Sequence, residues 1–235
     1  MDFWALLKGG GPVAIVLLLV SVYAAFVFFY RFQVFNRAGF NLAKLFAQVK
    51  ADLMAGNVRL ALADVARSET PAARVLTAGL ERVQLGAVAV QAGVQQAMLL
   101  EEEHYGRGMG TLAIIAQVAP MLGLLGTVFG MIRAFTVFSL VNQPSPNQLA
   151  GGISEALVST AAGLIVAVLA HVGHGFLNRL YDSLLNGLDS SKEFLTSTLI
   201  EAGLYHQLDN PALPVVVETL ERHHGVAVQP SLSRG

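Results

Sequence analysis

Three long stretches of the chain are almost entirely apolar, and apolar residues recur at helical spacing in the more polar segments around them. A membrane-spanning helix needs about 20 consecutive, mostly apolar residues. The sequence therefore predicts spans at 12–30, 109–141 and 149–178. We expect the first to be a retained anchor rather than a signal peptide, because its apolar core is long and no small-x-small cleavage site follows it.

The segment after the first span predicts several further helices. Apolar residues recur every three or four positions over 41–66, with an interruption at Gly56. Thr70 followed by Pro71 is typical of a helix N-cap and first helical position, which predicts a helix over 72–103. No βαβ pattern or strand set is visible, so this region is predicted to be a helical hairpin or a small bundle.

Helical spacing also continues beyond the third span, from Leu177 to Leu199. An apolar seam on a helix that has left the membrane needs a partner. That partner is either the 41–107 region of the same chain or the same helix in a neighbouring subunit. The predicted fold class is an all-α integral membrane protein with three transmembrane helices and long cytoplasmic helical extensions.

The composition supports a membrane protein and excludes several kinds of chemistry. The chain has 235 residues, of which 54% are hydrophobic and 13% charged, against about 25% charged in soluble domains. A net charge of −1 without a basic stripe gives no reason to expect nucleic acid. The absence of cysteine excludes disulfides, thiolate zinc sites and thiol catalysis. His171 and His174 have helical spacing but no third ligand, so we expect no metal and no cofactor.

The distribution of Lys and Arg predicts the orientation of the spans. Basic residues are frequent over 31–108, whereas only Lys8 precedes the first span and the 142–148 loop has no charge. Cytoplasmic loops carry the excess of Lys and Arg, so both termini can be assigned. The predicted organisation is a periplasmic N-terminus (1–11), first span (12–30), cytoplasmic helical region (31–108), second span (109–141), periplasmic loop (142–148), third span (149–178), and cytoplasmic helix and tail (179–235).

The second and third spans contain many small residues, unlike the first. Between helices in a bilayer there is no hydrophobic driving force, so small residues favour association by letting backbones approach closely. Gly123, Gly126 and Gly130 are spaced on one side of the second span and are predicted to pack against another helix. Pro120 is predicted to kink this span and to free a backbone carbonyl.

Polar residues in the same two spans need a separate explanation. Glu155 lies near the outer end of the third span, and intramembrane carboxylates mark ion pathways by default. Together with Ser159, Thr160 and Thr127 it indicates a polar lining that faces a partner helix or a wet lumen. The alternative for a lone hydroxyl is a bond to its own helix backbone. Arg133 either snorkels to the outer interface or pairs with Glu155 across the hairpin.

These motifs resemble the MotA/TolQ/ExbB proton-channel family, on its ExbB/TolQ branch. The resemblance is carried by LAIIAQVAPMLGLLGTVFGMIRAF in the second span and GGISEALVSTAAGLIVAV in the third, and it is strong over 109–178. The resemblance implies a homopentamer around a dimer of an ExbD/TolR-like single-span partner with a transmembrane aspartate. It also implies that Thr127 and Thr160 line the lumen beside that aspartate, with Glu155 in the same pore region.

Further expectations follow from the resemblance. They are a bacterial inner-membrane location, contact with membrane lipid, and a TonB- or TolA-like or other envelope protein as the driven element. Transporter energising, envelope constriction and motility all remain open as the process, and so does sodium in place of the favoured proton.

Two alternatives belong to other functional classes. A non-transporting scaffold subunit would explain the glycines but not the polar residues. An intramembrane hydrolase would need a nucleophile with a base in reach, yet Ser159 and His171 are twelve residues apart, about 18 Å along a helix. We therefore expect no enzymatic activity.

Overall fold

The computed structural model describes residues 11–38, 42–140 and 146–204. The predicted N-terminal segment before residue 11, most of the predicted 142–148 loop and the tail beyond residue 204 lie outside these ranges. The helices are α1 (Gly11–Arg37), α2 (Leu42–Met54), α3 (Val58–Ala66), α4 (Pro71–Leu80), α5 (Ala87–Gly106), α6 (Gly110–Leu140) and α7 (Pro146–Glu201), with a 3₁₀ turn at Val83–Leu85. Within the described ranges the fold is all-helical, as predicted.

Three helical stretches are long and apolar enough to cross a membrane. One lies in α1, one runs through α5 and α6, and one lies in α7. The predicted number of three spans is confirmed, and each predicted span falls, to within one residue, inside one of these stretches. Apolar side chains on the outer faces of these helices remain exposed in the single chain, among them Leu19, Phe26, Leu124 and Leu169. Such surfaces are expected where lipid or another subunit replaces water.

Helices α6 and α7 form the main contact of the membrane part, and α1 packs against both of them. They run antiparallel, because Gly123 lies beside Gly163 whereas Gly130, further along α6, lies beside Gly152. In the C-terminal half of α1, Phe28 contacts Gly173 and Phe176 of α7. This three-helix arrangement fixes the depth and direction of every polar side chain in the membrane part.

Beyond the membrane part, α7 continues as the central helix of a second packed region. Leu184, Leu188, Leu195 and Leu199 are buried in a core with residues of α2 to α5. Phe194 stacks on Phe46 of α2, with ring centroids 4.2 Å apart and planes 4° from parallel. The apolar seam predicted from Leu177 to Leu199 therefore packs against helices of the same chain, which was one of the two partners expected for it.

The predicted helix over 72–103 is wrong as a single element. Thr70 caps its start as expected, accepting a hydrogen bond from Ala73 N at 3.3 Å, with Pro71 at the first helical position. The helix nevertheless ends at Leu80, and α5 begins only after Gly86. Gly86 has φ +110°, a conformation that only glycine adopts without strain, so the chain turns there.

The turn lets α4 and α5 pack side by side, and an ion pair joins them. The Arg74 guanidinium donates two hydrogen bonds, of 2.5 and 2.6 Å, to the buried Glu101 carboxylate. Such two-pronged pairs fix geometry as well as adding energy. These hydrogen bonds raise the pKa of Arg74 above its ordinary value.

Candidate functional site

The contact between α6 and α7 is built on glycine backbone. A Cβ placed on Gly130 would lie 2.8 Å from Gly152 O and 2.9 Å from Ala156 N. A Cβ placed on Gly123 would lie 3.0 Å from Ser159 O and 3.3 Å from Gly163 Cα. Both positions, like Gly126 between them, are closed by backbone or short side-chain atoms that cannot move far. Any larger side chain would push the helices apart.

Ser159 lies in the centre of this contact. Its side chain has no exposed surface, and its hydroxyl donates to Glu155 O at 3.0 Å. A Cβ on Gly126 would collide with the Ser159 side chain. In the single chain Ser159 therefore faces α6 rather than an open space. It is also unsuited to the hydrolase alternative, because its oxygen is enclosed by the opposing helix.

Thr127 and Thr160 border the contact instead. Thr127 follows Gly126 and Thr160 follows Ser159, and each residue turns about 100° around its helix relative to the one before. Because α6 and α7 are antiparallel and face each other, these steps bring both threonines to the same side of the pair. Both side chains are half-buried. This flank, called here the threonine flank, is defined by Thr127 and Thr160.

The hydroxyls of the threonine flank are bonded to backbone carbonyls. Thr127 Oγ1 donates to Leu124 O at 2.6 Å, on its own helix. Thr160 Oγ1 lies 3.4 Å from Gly123 O across the contact and 3.4 Å from Ala156 O on its own helix. A hydroxyl that donates to a carbonyl keeps its oxygen lone pairs as acceptors. The flank therefore offers acceptor atoms to a polar group or water beside it.

Glu155 and Arg133 lie toward the other side of the helix pair, where α1 packs. Arg133 Nη1 donates to Glu155 Oε2 at 2.7 Å. Only 12% of the Glu155 side chain is exposed, against 59% for Arg133. The carboxylate is covered by the start of α1, since a Cβ on Gly11 would collide with Glu155 Oε1. Gly11 has φ +62°, so glycine suits this position for its backbone as well as for its size.

The four residues expected to form one polar lining are thus divided among three places. Thr127 and Thr160 form the threonine flank, Ser159 is enclosed in the contact, and Glu155 is paired on the α1 side. The division follows from helix phase, since the four-residue step from Glu155 to Ser159 is slightly more than one turn. Sequence spacing placed them on one face but did not say which element would cover it.

The remaining candidates are placed as follows. Helix α6 continues through Pro120 from Gly110 to Leu140. Asn178 Nδ2 lies 3.2 Å from His174 Nε2, and His171 is exposed. Among the described residues no group of three or more His, Cys, Asp or Glu side chains could hold a metal ion.

Sequence reasoning missed Gly11 as part of the site. Its only signal was the Gly-Gly-Pro run just before the first span, which reads equally well as a simple helix start. Its contact with Glu155 depends on how α1 sits on the other two helices, and local pattern does not report that.

The fold and these contacts define a multi-pass helical membrane protein whose tightest helix pair carries polar groups on both flanks. The chain belongs to the MotA/TolQ/ExbB proton channel family, whose model matches residues 67–190. That range includes all of α6 and the membrane part of α7. The family is one of proton channels, which agrees with the expectation that the chain is not an enzyme.

The curated relatives indicate the ExbB branch of this family. The biopolymer transport protein ExbB of Neisseria gonorrhoeae is 40% identical over 97 residues, 41% of this chain and 44% of its own. The biopolymer transport protein exbB1 of Vibrio cholerae is 36% identical over 99 residues, 41% of this chain and 43% of its own. An ExbB homologue of Methanothermobacter thermautotrophicus is 22% identical over 187 residues, 79% of this chain and 66% of its own. The similarity thus spans between 43% and 66% of these relatives' lengths.

Proposed function

We propose that this chain is a subunit of a proton channel that uses the proton-motive force to energise an envelope process. The family match and the ExbB relatives support the channel class. In the proposed complex, five copies surround a dimer of an ExbD/TolR-like protein with one transmembrane helix and one transmembrane aspartate. A TonB- or TolA-like protein is the proposed recipient of the work.

The observation that carries the proposal is the threonine flank. Thr127 and Thr160 lie on one side of the α6–α7 pair and α1 packs on the other, so a pore bounded by several copies would be walled by the flank. The predicted spans 12–30, 109–141 and 149–178 contain one carboxylate, Glu155, and it is already paired with Arg133. A carboxyl group that binds and releases the proton must then come from another chain.

The free energy that each proton makes available to such a complex is modest. One proton crossing 100 mV releases about 2.3 kcal/mol. In the proposed mechanism the partner's aspartate is protonated from one side, becomes neutral, and moves past the apolar wall. The hydroxyls of Thr127 and Thr160 accept hydrogen bonds from the protonated carboxyl group as the aspartate passes. Rotation of the partner dimer would couple this cycle to work.

The proposed location is the bacterial inner membrane, with the N-terminus periplasmic and the C-terminus cytoplasmic. The excess of Lys and Arg over 31–108 supports this orientation. It places α2 to α5 and the second half of α7 in the cytoplasm. Cysteine labelling from either side tests it directly, because the natural chain has no cysteine.

The decisive experiment measures proton flux into vesicles that contain the chain with its co-expressed partner. Thr127→Val and Thr160→Val keep the shape of the side chain and remove the hydroxyl, so we expect each to lower the flux. Thr136→Val is the matched control. Thr136 lies nine residues further along α6, about 13 Å from the level of Thr127 and beyond the last contact glycine, and its hydroxyl also donates to its own helix, to Ile132 O at 2.8 Å.

Full flux in both flank variants would refute the lining role. An equal loss in the Thr136 control would show a general effect of removing a hydroxyl from α6. Native mass spectrometry of the complex in mild detergent tests the assembly itself. A homo-oligomer without a single-span, Asp-bearing partner would favour the scaffold alternative.

A further inference from the structure

A cavity of about 430 Å³ opens near the C-terminal end of α1, the end away from Gly11. Its lining includes Tyr23, Phe26, Tyr30, Arg31, His104 and Arg107. The lining is thus apolar and aromatic toward the middle of α1, and basic where α1 meets the junction between α5 and α6.

Arg31 is the feature that needs explaining. Only 8% of its surface is exposed, and its guanidinium lies over the backbone of Gly108, where a Cβ would be 3.0 Å from Nη2. Within the described ranges no carboxylate or other hydrogen-bond partner is assigned to this guanidinium. Arg107, on the same cavity, is paired with Glu103 at 2.7 Å. Arg31 is thus largely buried without a partner among the described residues, while its nitrogens still reach the cavity, so an anionic ligand there would be favoured.

The depth of Arg31 indicates which anion is available. Arg31 is twenty residues from the start of α1, which is about 30 Å along a helix and about the thickness of the hydrocarbon core. Its guanidinium is therefore at the headgroup level. Tyr23, Phe26 and Tyr30 are exposed beside it, as interfacial aromatic residues are. Basic pockets between membrane helices bind anionic headgroups.

We propose that this cavity binds the phosphate of an anionic phospholipid, with Arg31 as the principal ligand and the acyl chains along Tyr23 and Phe26. Guanidinium binds phosphate oxygens through two parallel hydrogen bonds. Occupation would satisfy Arg31 and fasten α1 to the α5–α6 junction. The inference does not depend on ion conduction.

The test uses the full complex, purified in mild detergent and stripped of lipid. It is titrated with phosphatidylglycerol or with phosphatidylcholine of the same acyl chains, and bound lipid is counted by native mass spectrometry. We expect phosphatidylglycerol to bind more tightly and Arg31→Gln to weaken it by about fivefold or more, the effect of one basic group near an anionic surface. Arg179→Gln is the matched control, because Arg179 is exposed just beyond the third span.

Thermal unfolding gives a second readout that does not rely on counting lipids. Phosphatidylglycerol should raise the melting temperature of the natural protein but not that of Arg31→Gln. Without lipid, the variant should be at least as stable as the natural protein, because it removes an uncompensated charge. Arg31→Lys should bind more weakly than the natural protein and more tightly than Arg31→Gln.

Four results would overturn the proposal. Equal binding of the two lipids, or unchanged phosphatidylglycerol binding by Arg31→Gln, would remove the headgroup as the ligand. Glycerol 3-phosphate binding as tightly as phosphatidylglycerol would identify a site for a soluble phosphate. Loss of subunits from lipid-free Arg31→Gln complexes would identify a protein carboxylate as the partner of Arg31.

Discussion

The ion pair between Arg133 and Glu155 should respond very unequally to removal of its two members. Its atoms are 2.7 Å apart, but only the carboxylate is well buried. Arg133→Leu leaves Glu155 enclosed by α1 without its cation. Glu155→Gln leaves Arg133 with most of its side chain free to turn toward the interface, as long basic side chains do.

The magnitudes follow from these exposures. Removing one partner of a fully buried pair costs about 3–5 kcal/mol, whereas an exposed pair contributes about 0–1 kcal/mol. With its cation more than half exposed, this pair lies between the two limits. We expect Arg133→Leu to cost about 2–3 kcal/mol and Glu155→Gln about 1 kcal/mol or less. The double variant should cost less than the sum, with a coupling of about 1–2 kcal/mol.

The assay is equilibrium unfolding of the four proteins in one detergent at one protein concentration. Arg179→Leu serves as the control for removing an exposed arginine near the membrane, and we expect it to change the free energy of unfolding by less than about 0.5 kcal/mol. Equal costs for the two single variants would refute the argument from burial. Strict additivity would show that the two side chains do not interact in solution.

Three further outcomes follow from the backbone and from the second packed region. Gly152→Ala should lower the free energy of unfolding by about 1–3 kcal/mol through overpacking against α6, whereas Gly151→Ala, with no atom within 4 Å of the added carbon, should be neutral or slightly stabilising. Arg74→Met should cost about 1–3 kcal/mol by stranding Glu101, measured by urea unfolding. Because the pKa of Arg74 is raised above its already strongly basic ordinary value, Arg74 stays charged at neutral pH and loses its charge only in strong base, so the cost should not vary near neutral pH. Gly86→Ala should cost about 1–3 kcal/mol through backbone strain, seen as a lower melting temperature.

The spans and most helix boundaries could be predicted because they depend on local composition. Apolar runs report the spans directly, and Gly56 and Thr70 mark chain breaks whose conformations are local. The break at Gly86 was missed because one glycine within a periodic segment is compatible with a continuous helix. Its positive φ is imposed by the packing of α4 on α5, which is a tertiary effect.

The arrangement of the candidate site, like the break at Gly86, depends on tertiary packing that local sequence does not report. The residue types were identified from sequence, because carboxylates, hydroxyls and glycines are conspicuous in apolar spans. How these residues group in space could not be identified from sequence. Ser159 and Thr160 are adjacent in sequence, yet Ser159 is enclosed in the α6–α7 contact and Thr160 borders it. Which neighbour is enclosed depends on the phase of α7 relative to α6, and that phase is set by the fit of the glycines.

The placement of the polar groups also bears on why the proposed channel needs more than one chain. The α6–α7 contact is closed by backbone atoms at Gly123 and Gly130 and by the Ser159 side chain at Gly126, so it leaves no room for a water file between the two helices. On the open side, the exposed side chains of Leu124 and Met131 lie along the same flank of α6 as Thr127. Isolated hydroxyls on an apolar wall do not by themselves conduct protons, because transfer needs a chain of groups within hydrogen-bond reach. In the proposed complex, a single chain would therefore provide one wall of the path, and assembly would supply the partner's carboxyl group and the neighbouring walls.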